Sequence, residues 1–342
     1  MRVGIVLRPE SAHRDIYLSV LYEMDEVGEV AVCDETGVTF GEAEGRLGGK
    51  LVGRYRDMGE LLERGRPEMA LVTLEAFRAP EAIKLALDAG VPVLAEKPAC
   101  VDVGDFERLV RKAEEKGLPL MLAFAMRRSP MVLKAKELVE GGDFGRIYGV
   151  QAHFIADQTR IRDRRIQESW FFRKALGGGG HLLWLGCHFV DMISFVTGRR
   201  IRKVAGFTSV VGGQPIDVED AAAVSLELEE GAVGNLLSAY FLDKDKHSLF
   251  ALWGEHGWLR MCPHEWTPLE WYSDLYTLSP LRRLSYQEGA WDVYLPFVRS
   301  CVQACRGEEP PPIAPREGLY VLKVIHAAYK AAETGKTQEV GL

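Results

Sequence analysis

An apolar run, Gly90-Val91-Pro92-Val93-Leu94-Ala95, ends in Glu96-Lys97-Pro98, which places a carboxylate and an amine where a buried strand stops. An amine held there can take or return a proton. It does so near neutral pH only when burial or a neighbouring cation lowers its pKa from an unperturbed value of about 10.4. Pro98 restricts Lys97 to extended geometry, so stiff main chain aims the side chain. The plainer reading is a solvated strand end. A second group is His181, Trp184 and His188, whose i, i+3, i+7 spacing puts them on one face of a helix. Leu182, Leu185, Phe189 and Met192 would then form the opposite, buried face. A histidine in an apolar helix is more often a satisfied core residue than a catalyst. For His181, a helix cap or a water-facing position stands beside a polar role.

The elements around these groups alternate strand and helix. Asp102 looks like the N-cap of a helix carrying Phe106, Leu109, Val110 and Ala113 on one stripe. Such strand-to-helix junctions open at the carboxyl edge of a parallel sheet, where α/β proteins bind ligands. Val3 to Leu7 reads as the first strand and Ile16 to Leu21 as the start of its helix, joined by Leu7-Arg8-Pro9-Glu10-Ser11-Ala12. A dinucleotide fold usually carries G-x-G-x-x-G in this turn, and here only Ala12 matches the third small position. The helix N-terminus with Ser11, Arg8 and Arg14 can still hold an anion. Val30 to Cys33 is the second strand, ending in Asp34 at about the distance expected for a ribose 2′-hydroxyl contact. The alternative is a loop aspartate before Thr36-Gly37. Met69 to Thr73 is the next strand and leads into Leu74-Glu75-Ala76-Phe77.

Leu118 to Phe124 reads as the last parallel strand, and the pattern changes beyond it. Residues 1–123 form one expected domain and 124–342 the other. A helix over Met131 to Glu140 stops at Gly141-Gly142. Alternation from Tyr148 to Ile155, Val204 to Val211, Ala221 to Glu229, Val233 to Tyr240, Leu249 to Trp253 and Trp258 to Cys262 predicts an antiparallel sheet open on one face. Arg160 to Arg165, followed by Trp170-Phe171-Phe172, is either a solvated basic loop or a grip for an anionic group on a substrate. Pro310-Pro311-Pro312 marks a rigid linker before a final amphipathic helix at about Leu319 to Ala332.

At 342 residues, two domains are the natural expectation. A net charge of −7 argues against nucleic acid as the main partner, because phosphate binding needs clustered positive charge. Arg2, Arg8, Glu10 and Arg14 interrupt any apolar leader, and Leu182 to Val196 is too short to span a bilayer. No membrane partner and a cytoplasmic location are the default expectations. The six cysteines form no Cys-x-x-Cys pair and read mostly as buried thiols, and the eight histidines show no metal-ligand spacing.

Ala82 to Pro98 closely resembles the helix-strand-EKP block of the glucose-fructose oxidoreductase and inositol dehydrogenase (Gfo/Idh/MocA) family. Gly178-Gly179-Gly180 leading to Gly186-Cys187-His188-Phe189-Val190-Asp191 is similar to that family's GGG-x-L-x-D-x-G-x-H-x-x-D helix. Arg128-Ser129-Pro130, the strand Ala221 to Leu228 and the closing Ala327 to Gly335 extend the likeness to nearly the whole chain. The resemblance implies a Rossmann-type doubly wound parallel sheet plus an α+β domain with an open antiparallel sheet. It also implies NAD-dependent hydride transfer to or from a sugar, polyol or related hydroxy compound. NADP is less favoured, since its 2′-phosphate would meet like charge at Asp34.

Lys97 and His188 would handle the hydroxyl proton across one cleft. Arg8, Ser11, Ala12, Asp34, Thr73, Glu96 and Lys97 would surround the cofactor. Arg128, Trp170, His181 and Trp184 would meet a carbohydrate-like substrate, with Trp184 able to stack on the apolar face of a sugar ring. The chain departs from the family at the glycine turn, at Leu74-Glu75 where the family has threonine-proline-asparagine, and at Trp184 where it has aspartate. These departures keep open a non-catalytic ligand-sensing or scaffold protein, or a redox-neutral enzyme that retains NAD. An open sheet face predicts a homo-oligomer, a dimer or tetramer.

Overall fold

The computed structural model describes residues 1–263, 268–278, 280–285 and 289–341, the side chains of Thr159, Arg160 and Ala290 excepted. The chain folds into two compact units. The first comprises Met1–Ala125 with Ala290–Leu319, and the second Met126–Gly289 with Tyr320–Leu342.

Six parallel strands build the first unit: β1 (Arg2–Val6), β2 (Glu29–Cys33), β3 (Leu51–Tyr55), β4 (Met69–Val72), β5 (Val93–Ala95) and β6 (Leu120–Leu122). Their order is β3-β2-β1-β4-β5-β6, so the winding reverses between β1 and β4. Helices α1 (Arg14–Glu23), α2 (Phe40–Leu47), α3 (Ala79–Asp88) and α4 (Val103–Lys116) connect them. Strands covered on both faces must be apolar throughout, which is why β1, β2, β4 and β5 read as continuous hydrophobic runs. The edge strand β3, with Arg54 exposed between half-buried neighbours, has no such run and carries no strand signal in the sequence. Asp102 caps α4, its carboxylate accepting the Gly104 N–H.

Helix α7 (Ala290–Cys305) also belongs here, although the expected division at residue 123 leaves it with the second half. Its Val293, Phe297, Val298 and Cys301 are buried. Tyr294 meets Tyr17 of α1 edge-on at 5.5 Å, and Arg299 reaches Glu26 at 2.7 Å.

In the second unit, α5 (Pro130–Glu140) leads to a nine-stranded sheet ordered β14-β13-β12-β11-β7-β10-β9-β8-β15, whose short strands are β12 (Gly257–Met261), β13 (Leu269–Ser273), β14 (Leu281–Leu284) and β15 (Gln338–Glu339). The long strands are β7 (Ile147–Asp157), β8 (Ile201–Ser209), β9 (Ala221–Leu228), β10 (Val233–Leu242) and β11 (His247–Gly254). The sheet is mixed rather than wholly antiparallel as expected, because β7 and β10 pair in parallel at its centre. They are not consecutive strands. The connection between them carries α6 (Cys187–Thr197), which covers one sheet face with Phe189 stacked 5.5 Å from Phe154 of β7.

The opposite face carries apolar side chains in register. Phe207 of β8 aligns with Ala223 and then Leu237 of β10, while Val233 aligns through Gly149 with Trp253 of β11. Phe207 is 80% exposed. Helix α8 (Pro315–Thr334) contributes its length from Tyr320 onward to this unit. Among the described residues no helix is long and apolar enough to cross a membrane.

Candidate functional site

Glu96 and Lys97 are only 4% and 6% exposed, so they are not a solvated strand end. The turn after β5 buries them, with a cis Lys97–Pro98 bond. Glu96 Oε1 accepts the Tyr17 hydroxyl at 2.6 Å and pairs with His13 Nδ1 at 3.0 Å, while Oε2 accepts the Lys97 N–H at 3.2 Å. The Tyr294 hydroxyl is also 3.0 Å from His13 Nδ1. Burial opposes the Glu96 charge, but His13, Lys97 and Tyr17 outweigh it and hold the carboxyl below its usual range. Burial and the same carboxylate push the Tyr17 phenol well above 10. Sequence reasoning finds Glu96 and Lys97 but misses His13, Tyr17 and Tyr294. Their partnership joins segments 79 to 281 residues apart, and no local signal announces it.

At the neighbouring strand ends the expected cofactor residues divide. Asp34 is a loop aspartate: Oδ1 accepts the Thr36 N–H and hydroxyl at 2.9 and 2.7 Å, and Oδ2 those of Thr39 at 2.9 and 2.8 Å. Burial raises its pKa, and these four bonds overcome that and lower it. An ionised carboxylate has about four acceptor sites, so none is left for a ribose. Thr73 is likewise turned inward, its hydroxyl donating to the Val6 carbonyl at 3.1 Å. Ser11 and half-buried Ala12 shape the turn, Ser11 Oγ accepting the Arg8 N–H at 2.8 Å. Arg8 is not an open anion site, for it pairs with Glu35 and, at 3.2 Å, with buried Glu75.

Whether these residues suit NAD turns on the donors they offer. The turn has no glycine amides, and Pro9 has no N–H. Yet Arg78 Nε and Glu75 Oε2, 3.8 Å apart, are buried without a hydrogen bond among the described residues. This guanidinium nitrogen and carboxylate oxygen, with Arg8 ion-paired beside them, match in kind the phosphate oxygens and ribose hydroxyls of a dinucleotide. Beside the amides of the α1 N-terminus, they fit the group.

In the second unit, the helix predicted from His181 onward begins instead as a π turn, Leu182–Gly186, before α6. The wider turn departs from the ideal α-helix that the i, i+3, i+7 spacing assumes. His181 is fully buried, with Nδ1 2.6 Å from Ser238 Oγ of β10 and its ring edge-on to Tyr240 at 4.4 Å. It neither caps a helix with its side chain nor faces water. Trp184 is buried too, its indole N–H donating to the Gly179 carbonyl at 2.9 Å. Trp170 meets it edge-on at 5.0 Å, and Phe171 lies 4.3 Å away. Trp184 therefore does not supply the polar contact of the aspartate it replaces. The half-buried positions are His188 and Leu185, the latter expected inside.

Gly180 and Gly186 allow this packing, since a Cβ on Gly180 would overlap the Glu219 carbonyl and one on Gly186 would press on Ser238. Glu219 anchors the turn by accepting from Gly180 N at 2.7 Å, Leu182 N at 2.9 Å and the Tyr329 hydroxyl at 2.9 Å. Burial pushes its carboxyl from 4.5 up to about 7, against those three bonds. An acid whose pKa rises on folding binds more protons folded than unfolded. The protein therefore loses stability as pH climbs from about 4.5 to about 7, and the loss is complete above that window. Melting curves across this range, wild type against Glu219→Gln, are expected to differ in slope, the wild type falling more steeply. Parallel slopes would remove Glu219 from the pH dependence.

Arg127, passed over in favour of Arg128, is buried with Nη2 2.7 Å from Asp191 Oδ1 and Nε 3.0 Å from Oδ2. Arg128 is half-buried, and its Nε makes no hydrogen bond among the described residues. In the basic loop, Arg162, Arg164 and Arg165 are exposed and pair with Asp243, Glu168 and Asp163, as on a solvated surface. The Arg160 side chain lies outside the described residues. All six cysteines are free thiols.

The chain is similar to known dehydrogenases along its whole length. It is 22% identical to a myo-inositol 2-dehydrogenase of Thermotoga maritima over 97% of this chain and 96% of that one. To a levoglucosan dehydrogenase of Pseudarthrobacter phenanthrenivorans it is 27% identical, over 44% of each, so the match spans less than half of that relative. The solved structure of a levoglucosan dehydrogenase in complex with NADH superposes with a TM-score of 0.89, covering 100% of this chain and 99% of that one at 18% identity. That likeness shows the fold. The family model described as "Oxidoreductase family, NAD-binding Rossmann fold" matches residues 15–124, beginning just past the glycine-less turn. With the "GFO/IDH/MocA C-terminal domain" matching residues 132–260 behind it, the chain belongs to the GFO/IDH/MocA family of NAD-binding oxidoreductases.

Proposed function

We propose that this oxidoreductase is an NAD-linked dehydrogenase of a sugar, polyol or related hydroxy compound, with Lys97 and His188 handling the hydroxyl proton. The observation that carries the reading is the buried Glu96-Lys97 pair at the carboxyl end of β5, beside the strand ends where α/β sheets bind ligands. NAD, held beside Arg8 and Arg78 at the strand ends, would supply the hydride acceptor. Lys97, buried beside Glu96, would take the hydroxyl proton as the carbon gives up its hydride. His188, half-buried in the first turn of α6, is the second proton-handling group. The levoglucosan and inositol dehydrogenases among its relatives support a carbohydrate-like substrate.

The test is a screen of anhydrosugars, cyclitols and aldoses for NAD reduction by nicotinamide absorbance, with His188→Ala as the control variant. Turnover with at least one hydroxy compound, reduced in the variant by about 10²–10⁴-fold, is expected. No reduction with any of them would sink the reading.

The protein is also proposed to be a homo-oligomer through the outer face of its second sheet. Phe207, Val233, Leu237 and Trp253 expose apolar surface in register, which association would bury. Light scattering at micromolar concentration is expected to give a dimer or tetramer, and Phe207→Glu to shift it toward monomer. A wild-type monomer would refute the interface.

A further inference from the structure

Four charged side chains close a ring of alternating sign at the ends of three neighbouring strands. Arg8 follows β1, Glu35 follows β2, and Glu75 and Arg78 follow β4. Arg8 pairs with Glu35 and lies 3.2 Å from Glu75, while Arg78 lies 3.8 Å from Glu75 and 3.3 Å from Glu35. The ring straddles β1 and β4, where the winding reverses, which is the ligand-binding point of doubly wound sheets. Its charges balance, but its hydrogen bonding does not. Arg78 Nε and Glu75 Oε2, facing each other at 3.8 Å, are buried with no hydrogen bond among the described residues. Buried groups in that condition cost stability until a ligand completes them.

We propose that this ring is a side-chain clamp for the ribose and pyrophosphate of the dinucleotide, and that Glu35 rather than Asp34 sets the choice between NAD and NADP. The inference rests on the NAD-linked reading above. Arg8 and Arg78 supply to phosphate oxygens the donors that glycine amides supply elsewhere, with the forked geometry suited to phosphate. Asp34 has no acceptor site to spare, its four being used by Thr36 and Thr39. Glu35, 52% exposed and the most open member of the ring, can exchange its arginines for ribose hydroxyls as the arginines turn to phosphate. A 2′-phosphate would instead meet its negative charge. Without that charge, two guanidinium groups stand ready for the extra phosphate.

Calorimetric titration of the full chain with NADH, NADPH and ADP-ribose tests this without turnover, and melting temperatures report whether each variant is folded. Arg8→Met and Arg78→Met are each expected to weaken NADH and ADP-ribose binding by about tenfold or more, with Arg8→Lys intermediate. Glu35→Gln is expected to shift the NADPH-to-NADH affinity ratio toward NADPH by about tenfold. Asp34→Asn is expected to lower the melting temperature and leave that ratio alone. NADH affinity within about twofold of wild type in both methionine variants would overturn the clamp. A ratio that moves with Asp34→Asn and not with Glu35→Gln would return selectivity to Asp34. If the wild type binds none of the three ligands, clamp and cofactor reading fall together. Arginine-dependent binding with no hydroxy compound oxidised sinks the dehydrogenase reading alone and supports the clamp.

Discussion

Lys97→Met is expected to lower kcat by about 10²–10⁴-fold, the usual contribution of a positioned general acid or base. Methionine keeps an unbranched apolar stem in a position that is 6% exposed, so packing around Glu96 should persist while the amine is lost. Nucleotide affinity, read by calorimetry, should then change far less than turnover. A reduced kcat with unchanged affinity places the effect in the chemical step. Unchanged turnover would end the catalytic assignment, since no other lysine of the chain stands at the end of an apolar strand in a motif position.

The second large effect is on stability. Asp191→Ala removes the carboxylate that faces the buried Arg127 guanidinium at 2.7 and 3.0 Å. Breaking a buried ion pair from one side costs about 3–5 kcal/mol, because the remaining charge stays out of water without its counter-ion. Chemical denaturation should show a loss of that order. Pairing the change with Arg127→Met should restore part of it, since an apolar pair of similar volume avoids the stranded charge. A loss below about 1 kcal/mol would mean the pair behaves like a surface ion pair, contrary to its burial.

These two residues are not equally visible in the sequence. Lys97 stands out because its cues are contiguous: a hydrophobic run, an abrupt polar end and a proline that stiffens the adjoining backbone. Asp191 is visible only as part of a motif, and Arg127 is overlooked for its neighbour Arg128. Sequence spacing cannot tell which of two adjacent arginines turns inward; the 64-residue separation to Asp191 is bridged only when α6 packs beside α5. Helix phase fails for a related reason. An i, i+3, i+7 pattern assumes an ideal α-helix, and the π turn at Leu182–Gly186 sends His181 against β10 and leaves His188 and Leu185 partly exposed.

By itself the sequence determined a parallel half and a half patterned as an antiparallel sheet, the strand that ends just before Lys97, and the absence of phosphate-binding glycines. Each is written in nearest-neighbour patterns: burial on two faces, alternation, and backbone freedom at a turn. Tertiary structure alone decided which charges are spent and which are available. Asp34 and Glu35 are adjacent acids at one strand end, yet Asp34 is consumed by Thr36 and Thr39 while Glu35 joins a ring with Arg8 and Arg78. The physical reason is that a carboxylate's role is set by the donors within about 3 Å of it. For Glu35, Glu75 and Glu96 those partners come from strand ends and helices distant in the chain.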